Sequence, residues 1–358
     1  RKICLDKNIK SLLSNPDLIE RVKIWNNKTG KEIKVVIGDL TDIDFTESLF
    51  NGSTQYDWSL TNSNNKPETV IHFAEQPSAP YSMIDSEKSN FTLVNNIIST
   101  NNLINSIKKN NPEIHIIKLG TMGEYGTPDI DIEEGWLNIK HKGRSQKFLY
   151  PRQASSIYHT SKIMDTDLLW FAVRTWKLKV TDLMQGPVYG IFTEQTEIDN
   201  NLSTIFNYDE IFGTVINRFI TQAVIGYPLT VYGKGNQTRG YINLVDSLRC
   251  IEIAVRNEPK TGELRIFNQI SETMSVNQIA KKIDIVCKSL GIKTTIENKL
   301  NPRIEKEDHY YNPKYQALKD LGFKPNYFNE HIITKIINEV NKYKHKINKD
   351  VIFNGVQW

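Results

Sequence analysis

Four short apolar runs alternate with long helical patterns, and this alternation limits the chain to few architectures. The runs occupy residues 33–38 (IKVVIG), 70–74 (VIHFA), 114–120 (IHIIKLG) and 180–185 (VTDLMQ). Each is apolar or β-branched at neighbouring positions, not at every second one, as a strand covered on both faces requires. Residues 91–109 put Leu93, Ile97, Leu103 and Ile107 on one helical face, and 158–176 repeat the pattern with Ile163, Leu168 and Phe171. Strands of this kind separated by helices predict an α/β chain with a doubly wound parallel sheet. Such sheets bind ligands in the crevice beyond the carboxyl ends of their strands.

Two stretches interrupt the alternation. Residues 53–67 are polar, 192–209 are acidic and rich in Asn, and both read as loops. Beyond them, 212–225 predict a helix. Residues 328–343 predict another, with Phe328, Ile332, Ile336 and Val340 on its packed side. Near the start, 19–25 read as helix and 27–30 as a turn. The 358 residues suffice for about two domains. The larger takes residues 1–185 and 235–271, and a smaller lobe takes 186–234 and 272–345. A net charge of +4 over this length excludes a dedicated nucleic-acid surface. No apolar run approaches the roughly 20 residues of a membrane span. Cys4, Cys250 and Cys287 have neither metal-ligand spacing nor the number for a disulfide framework. No metal is therefore expected, and a reducing compartment is: the cytoplasm, or the stroma if the host is a photosynthetic eukaryote.

The chemistry concentrates at Tyr158 and Lys162. Four residues apart on a helix, they share a face. The ammonium can then lie beside the phenol and lower its pKa from about 10 towards neutrality. Such a phenol can take a proton from a sugar hydroxyl while hydride leaves the same carbon. The Tyr-x-x-x-Lys spacing alone recurs by chance, a surface pair being the bland alternative. The segment 119–126 (LGTMGEYG) runs out of the third apolar stretch and adds Thr121, a second group for the same hydroxyl. Its bland alternative is a turn or cap hydroxyl.

Six segments carry a resemblance that runs nearly end to end: 72–83 (HFAEQPSAPYSM), 118–134 (KLGTMGEYGTPDIDIEE), 151–162 (PRQASSIYHTSK), 181–190 (TDLMQGPVYG), 226–241 (GYPLTVYGKGNQTRGY) and 301–312 (NPRIEKEDHYYN). They resemble the extended short-chain dehydrogenase/reductases that act on nucleotide sugars, of the NAD-dependent epimerase/dehydratase kind. More narrowly, they are similar to the UDP-sulfoquinovose synthase family. The resemblance implies a Rossmann-type NAD-binding domain for the larger unit, a nucleotide-sugar-binding lobe, and UDP-glucose and sulfite as substrates. It implies that NAD takes hydride from sugar C4, that water is lost across C5 and C6, that sulfite adds at C6, and that hydride returns.

Residue roles follow from the same resemblance. Thr121, Tyr158 and Lys162 would manage the C4 oxygen, and Glu124 and His159 the C5 proton and C6 hydroxyl. Asp39 and Leu40 would lie by the adenine, and His72, Phe73, Ala74 and Glu75 by the ribose and nicotinamide. Asn95, Gln185 and Val188 would complete the cofactor side, with Asn95 and Asn96 also bracing the central helix. Arg239 and Arg303 would hold the diphosphate, since a guanidinium fork suits phosphate oxygens. Residues 229–232, including Thr230 and Tyr232, would face uracil. Gln76, Met122, Gly123, Gln185 and Gln237 would reach the rest of the sugar nucleotide. Homodimers built from two long helices per subunit are common in the family, and 91–109 and 158–176 are apolar enough to serve.

The chain also departs from the family. Nothing before residue 33 matches strand, glycine-rich loop and helix, the unit whose helix N-terminus holds a pyrophosphate. The expectation is a sequence truncated at its N-terminus that folds poorly and binds NAD weakly. Pro77 stands where the family carries Arg, which bears on how the sulfur nucleophile is held. Ser99 and Met184 are milder changes. Two competing readings remain: another NDP-sugar 4-epimerase or 4,6-dehydratase, and a non-catalytic nucleotide-sugar-binding relative.

Overall fold

The computed structural model describes residues 12, 13, 16–51, 67–303, 306 and 308–352. Helix α1 (Leu18–Thr29) starts at Asp17, whose carboxylate caps Glu20 N–H, and ends where Gly30 turns left-handed at φ 67°. It covers the expected helix and most of the expected turn. Helix α2 (Ile43–Asn51) follows, and most of the polar loop at 53–67 lies outside the described residues. Next come β1 (Thr69–His72), α3 (Ala79–Ser82), α4 (Ser86–Leu93), a π-helical turn (Val94–Ile98), α5 (Ser99–Asn110) and β2 (His115–Thr121). A 3-10 turn (Met122–Glu124) precedes the hairpin β3 (Trp136–His141) and β4 (Arg144–Leu149), then α6 (Ile157–Trp176), β5 (Lys179–Gln185), β6 (Val188–Tyr189) and α7 (Glu194–Ile198). The C-terminal half runs through α8 (Val215–Val224), β7 (Leu229–Tyr232), β8 (Thr238–Asn243), α9 (Leu244–Arg256), β9 (Leu264–Gln269) and β10 (Glu272–Ser275). It finishes with α10 (Val276–Ser289), β11 (Ile296–Lys299), α11 (Ala317–Asp320) and α12 (Glu330–Lys342).

The main sheet has the order β1-β2-β5-β9 and is parallel throughout. Helices α5 and α6 cover one face with Leu103, Ile107, Leu169, Ala172 and Val173. Helix α9 and the segment around Leu318 and Phe323 cover the other. Both faces are thus buried, which is why the strands read as unbroken apolar runs. Phe171, expected on the packed face of α6, is 42% exposed.

The first expected strand does not form. Residues 33–38 are irregular, and Ile37 is 81% exposed. A strand needs a neighbour to take its backbone groups. Among the described residues none pairs with this run, and the side chain of Asn26 takes the N–H and C=O of Ile33 instead, at 2.9 and 3.2 Å. On β1, only the side facing β2 is paired among the described residues.

The small lobe has its own core. Helices α8, α10 and α12 pack Ile216, Phe219, Ile220, Ile279, Ile283, Ile333 and Ile337 together with Leu229 and Val231 of β7. A short sheet, β10-β8-β6, joins it to the main body. Its strand β8 sends Tyr241 into the lobe core and Ile242 into the core beneath α9, because successive strand side chains alternate. Among the described residues no helix is long and apolar enough to cross a membrane.

Candidate active site

Beyond the carboxyl ends of β2 and β5 lies a cleft of about 990 Å³ that extends into the small lobe. Thr121 ends β2 and caps the 3-10 turn: its hydroxyl accepts from Gly123 N–H at 3.1 Å, and its own N–H donates to Glu124 Oε1 at 3.4 Å. The cap use is therefore real, and Thr121 lines the cleft as well. Across from it, Ser156 starts α6 by accepting from His159 N–H at 3.1 Å. That start sets Tyr158, His159 and Lys162 along the same cleft. His159 Nδ1 lies 3.2 and 3.1 Å from the hydroxyls of Ser155 and Ser156. Its Nε2 packs on Gly123, where a Cβ would stand only 2.2 Å away. Burial and the charges of Arg303 and Arg239 hold the imidazole down to about 3, so the ring is neutral.

Lys162 does not lower the phenol of Tyr158, as the spacing predicts. It is ion-paired with Glu75, which also faces His72 Nε2 at 3.2 Å. Burial alone would raise Glu75, but Lys162 and the His72 hydrogen bond overcome it and hold the carboxyl at about 2. Tyr158 is pushed well above the ordinary phenol value by burial and by the negative charges of Glu75 and Glu124. The ammonium spends its field on the nearer carboxylate.

Glu124, expected to reach the sugar, is wholly buried beneath the cleft and does not line it. Lys118 Nζ donates to Glu124 Oε1 at 3.3 Å, to the Lys162 carbonyl at 2.9 Å and to Thr166 Oγ1 at 2.8 Å. Arg152 Nε stands 3.7 Å from Glu124 Oε2. Burial raises the Glu124 carboxyl, with Lys118 opposing. This buried cluster ties the turn of Thr121 to the helix of Lys162. Lys118 escaped notice in the sequence, although a lone cation inside IHIIKLG was the available signal.

Several other expected contacts stand outside the cleft, each for a local reason. Asp39 caps its own turn, accepting from the N–H and Oγ1 of Thr41 at 2.9 and 2.8 Å. The Leu40 carbonyl accepts from Asn102 Nδ2 at 3.0 Å. His72 is buried against Thr100 at 3.1 Å and reaches the cleft only through Glu75. Ala74 is exposed beyond the rim. Asn95 donates to Asn96 Oδ1 at 3.1 Å, and Asn96 bridges the Gln76 backbone to Ser161 Oγ. Gln76 is itself buried among Ser78, Thr92 and Asn96. Thr230 is fully buried, its N–H and Oγ1 both taken by Gln222.

Phe73, Glu75, Pro77, Gln185 and Val188 line the cleft beside Tyr158 and Lys162. Glu75 is buried there, its Oε1 facing His72 and its Oε2 facing Lys162, and a carboxylate beside an ammonium fits the hydroxyls of the nicotinamide-ribose half of a dinucleotide. The Gln185 amide donates to Ser247 Oγ at 2.6 Å and Gln269 Oε1 at 3.0 Å, so it also closes its strand. Towards the small lobe the cleft is lined by Met122, Gly123, Tyr232, Gln237, Arg239 and Arg303. Arg239 Nη1 donates to the Thr238 carbonyl at 2.8 Å and lies 2.7 Å from His309 Nε2. Sequence reasoning missed Asn207, Thr214, Arg218 and Tyr311 at this end. Each of these, and Gln237, has a buried side-chain polar atom without a partner. Native interiors rarely leave such atoms unpaired, so the lobe end of the cleft is built for a polar ligand.

The chain is similar to several known proteins. The family described as NAD dependent epimerase/dehydratase matches residues 10–268. The chloroplastic UDP-sulfoquinovose synthase of Spinacia oleracea is 42% identical over 350 residues, 98% of this chain and 70% of that one. The UDP-sulfoquinovose synthase of Sulfolobus acidocaldarius is 40% identical over 346 residues, 96% of this chain and 85% of that one. Among solved structures, the UDP-glucose 4-epimerase of Bifidobacterium longum in complex with NAD+ and UDP shares the fold. Its TM-score is 0.65 at 20% identity, over 93% of this chain and 88% of that one.

Proposed function

The chain belongs to the NAD dependent epimerase/dehydratase family and, within it, to the UDP-sulfoquinovose synthases, and on that premise we propose that it joins UDP-glucose and sulfite into UDP-sulfoquinovose. It is an NAD-dependent enzyme of the extended short-chain dehydrogenase/reductase type. The observation that carries the reading is the meeting of Thr121, Tyr158, His159 and Lys162 in one cleft whose far end holds Arg239 and Arg303.

When bound, NAD supplies the site that accepts hydride from sugar C4 and gives it back. The chain's own residues do the rest. Tyr158 takes the proton of the C4 hydroxyl, with Thr121 hydrogen-bonded to the same oxygen. Lys162 leaves Glu75 for the cofactor ribose and the phenol, and so lowers the cost of phenolate. His159, neutral and held by Ser155 and Ser156, serves proton movement at C5 and C6 of the 4-keto sugar. Glu124 acts from below by fixing Thr121. Arg303 of the lobe formed by 186–234 and 272–345 and Arg239 of the larger unit hold the diphosphate between them, while 1–185 and 235–271 carry the dinucleotide. Pro77, at the cleft wall, leaves sulfite to be held by other cations. The working unit is a homodimer, and the compartment is a reducing one, cytoplasmic or stromal.

The test is incubation with UDP-glucose, sulfite and NAD, followed by mass spectrometry of the sugar nucleotide. A sulfonated UDP-hexose is expected. UDP-galactose or a 6-deoxy-4-keto product in its place would assign the chain to epimerase or dehydratase chemistry.

A further inference from the structure

A positive charge lies buried beneath the floor of the cleft. Lys118 stands on β2 just before Thr121, is wholly buried and does not line the cleft. An ammonium has three N–H groups, and all three are spent. They go to Glu124 Oε1 at 3.3 Å, the Lys162 carbonyl at 2.9 Å and Thr166 Oγ1 at 2.8 Å. Asp182 Oδ2 of β5 lies 3.5 Å away and takes the Thr166 hydroxyl at 2.6 Å. A buried charge is tolerated when it is paired and hydrogen-bonded in this way. Burial alone would lower the ammonium, but Asp182 and Glu124 overcome it and hold Lys118 charged.

Each of its bonds leads to a reacting group. Glu124 Oε1 also accepts from Thr121 N–H, so the first bond fixes the strand end that carries the Thr121 hydroxyl. Lys162 and Thr166 lie one and two turns after Tyr158 on α6, so the other two bonds fix the helix that carries the phenol. Lys162 is placed differently: its ammonium faces the cleft and pairs with Glu75. The charges acting on Tyr158 are Glu75 after β1, Lys118 of β2, Glu124 of the 3-10 turn and Asp165 of α6. Arg152 stands behind Glu124 and Asp182 behind Lys118. His159, its ring 5.2 Å from the phenol ring, is neutral. Of the four charges, Lys118 alone favours phenolate, and a fixed charge acts strongly where water is excluded.

We propose that Lys118 is a positioning residue for hydride transfer: it clamps Thr121 and Tyr158 at one spacing and is the standing cation that favours the Tyr158 phenolate. The assignment rests on the reading of Tyr158 as the base. It divides the electrostatic work between two lysines. Lys162 can turn from Glu75 to whatever fills the cleft, whereas Lys118 is held in place by all of its donors.

The test is single-turnover NADH formation from UDP-glucose across pH, with steady-state kinetics beside it. Lys118→Met should move the acid limb up by about one pH unit, so that the rate below the limb falls roughly 10-fold. KM for UDP-glucose should hardly change, because the side chain stands outside the cleft. Glu124→Gln should move the limb down. Adding Lys118→Met to Glu124→Gln removes both members of the ion pair and should move the limb up again. That second comparison stands even where Lys118→Met alone does not fold. Rates lowered equally at every pH, with the limb unmoved by the loss of Lys118, would make it a structural cation and overturn the assignment, while the reading of Tyr158 stands. Hydride transfer by Tyr158→Phe at the wild-type rate would overturn that reading and this assignment with it.

Discussion

Four nearby charges act on Tyr158, and three of them oppose its ionisation. Burial raises the phenol, Glu75, Glu124 and Asp165 raise it further, and Lys118 pulls the other way. Glu75→Gln removes the strongest of the negative fields and releases Lys162. Phenolate then costs less, its pKa falls, and the base form exists at lower pH. The acid limb of hydride transfer should move down by about one pH unit, read from NADH absorbance in single turnovers across pH. A limb that stays in place would show that Glu75 does not control the phenol. Tyr158, Lys162 and Thr121 were legible in the sequence because local rules set them: one helical turn, one strand end. The Glu75–Lys162 pair was not, since it joins positions 87 residues apart. Glu124 read as a reactive carboxylate because its burial depends on Lys118 arriving from the strand beneath. Arg218 hid in the apolar run VINRFITQAV, where a charged residue gives no local sign of what it faces.

Helices α4 and α5 form one rod broken by a π-helical turn at Val94–Ile98. The sequence predicted a single helix over 91–109 and missed the extra residue, which leaves the apolar periodicity nearly intact. The turn brings Asn96 inward to hold the Gln76 N–H at 2.7 Å and Ser161 Oγ at 3.0 Å, joining the loop after β1 to α6. Asn96→Ala should destabilise the fold by about 2 kcal/mol, because it strands buried partners. It should also reduce kcat more than it raises KM for UDP-glucose. Urea unfolding and steady-state kinetics on the same variant check both. Expected strands at 70–74, 114–120 and 180–185 formed within two residues of their predicted ends. The one at 33–38 failed because a strand is a relation between two segments, and the apolar pattern specifies only one of them.

At the scale of the molecule, the parallel sheet with two covered faces was readable from the strand composition, since double burial demands continuous apolarity. The lobe core was less so: it draws on β7, α8, α10 and α12, far apart in sequence. One surface remains to be covered. Phe91, Val94 and Ile98, at the junction of α4 and α5, are exposed together with Met164 and Phe171 of α6, Val94 at 57%. These are the helices expected to meet across a homodimer. Val94→Glu would bury a charge in that contact and should weaken association by about 100-fold, which sedimentation velocity measures; an unchanged dimer would place the interface elsewhere. Strand β8 has a further consequence. With neighbouring residues packed in different cores, it couples them: the sheet and the lobe should melt together, and a ligand held only at the lobe end should raise the midpoint of the whole chain, which calorimetry with and without UDP checks.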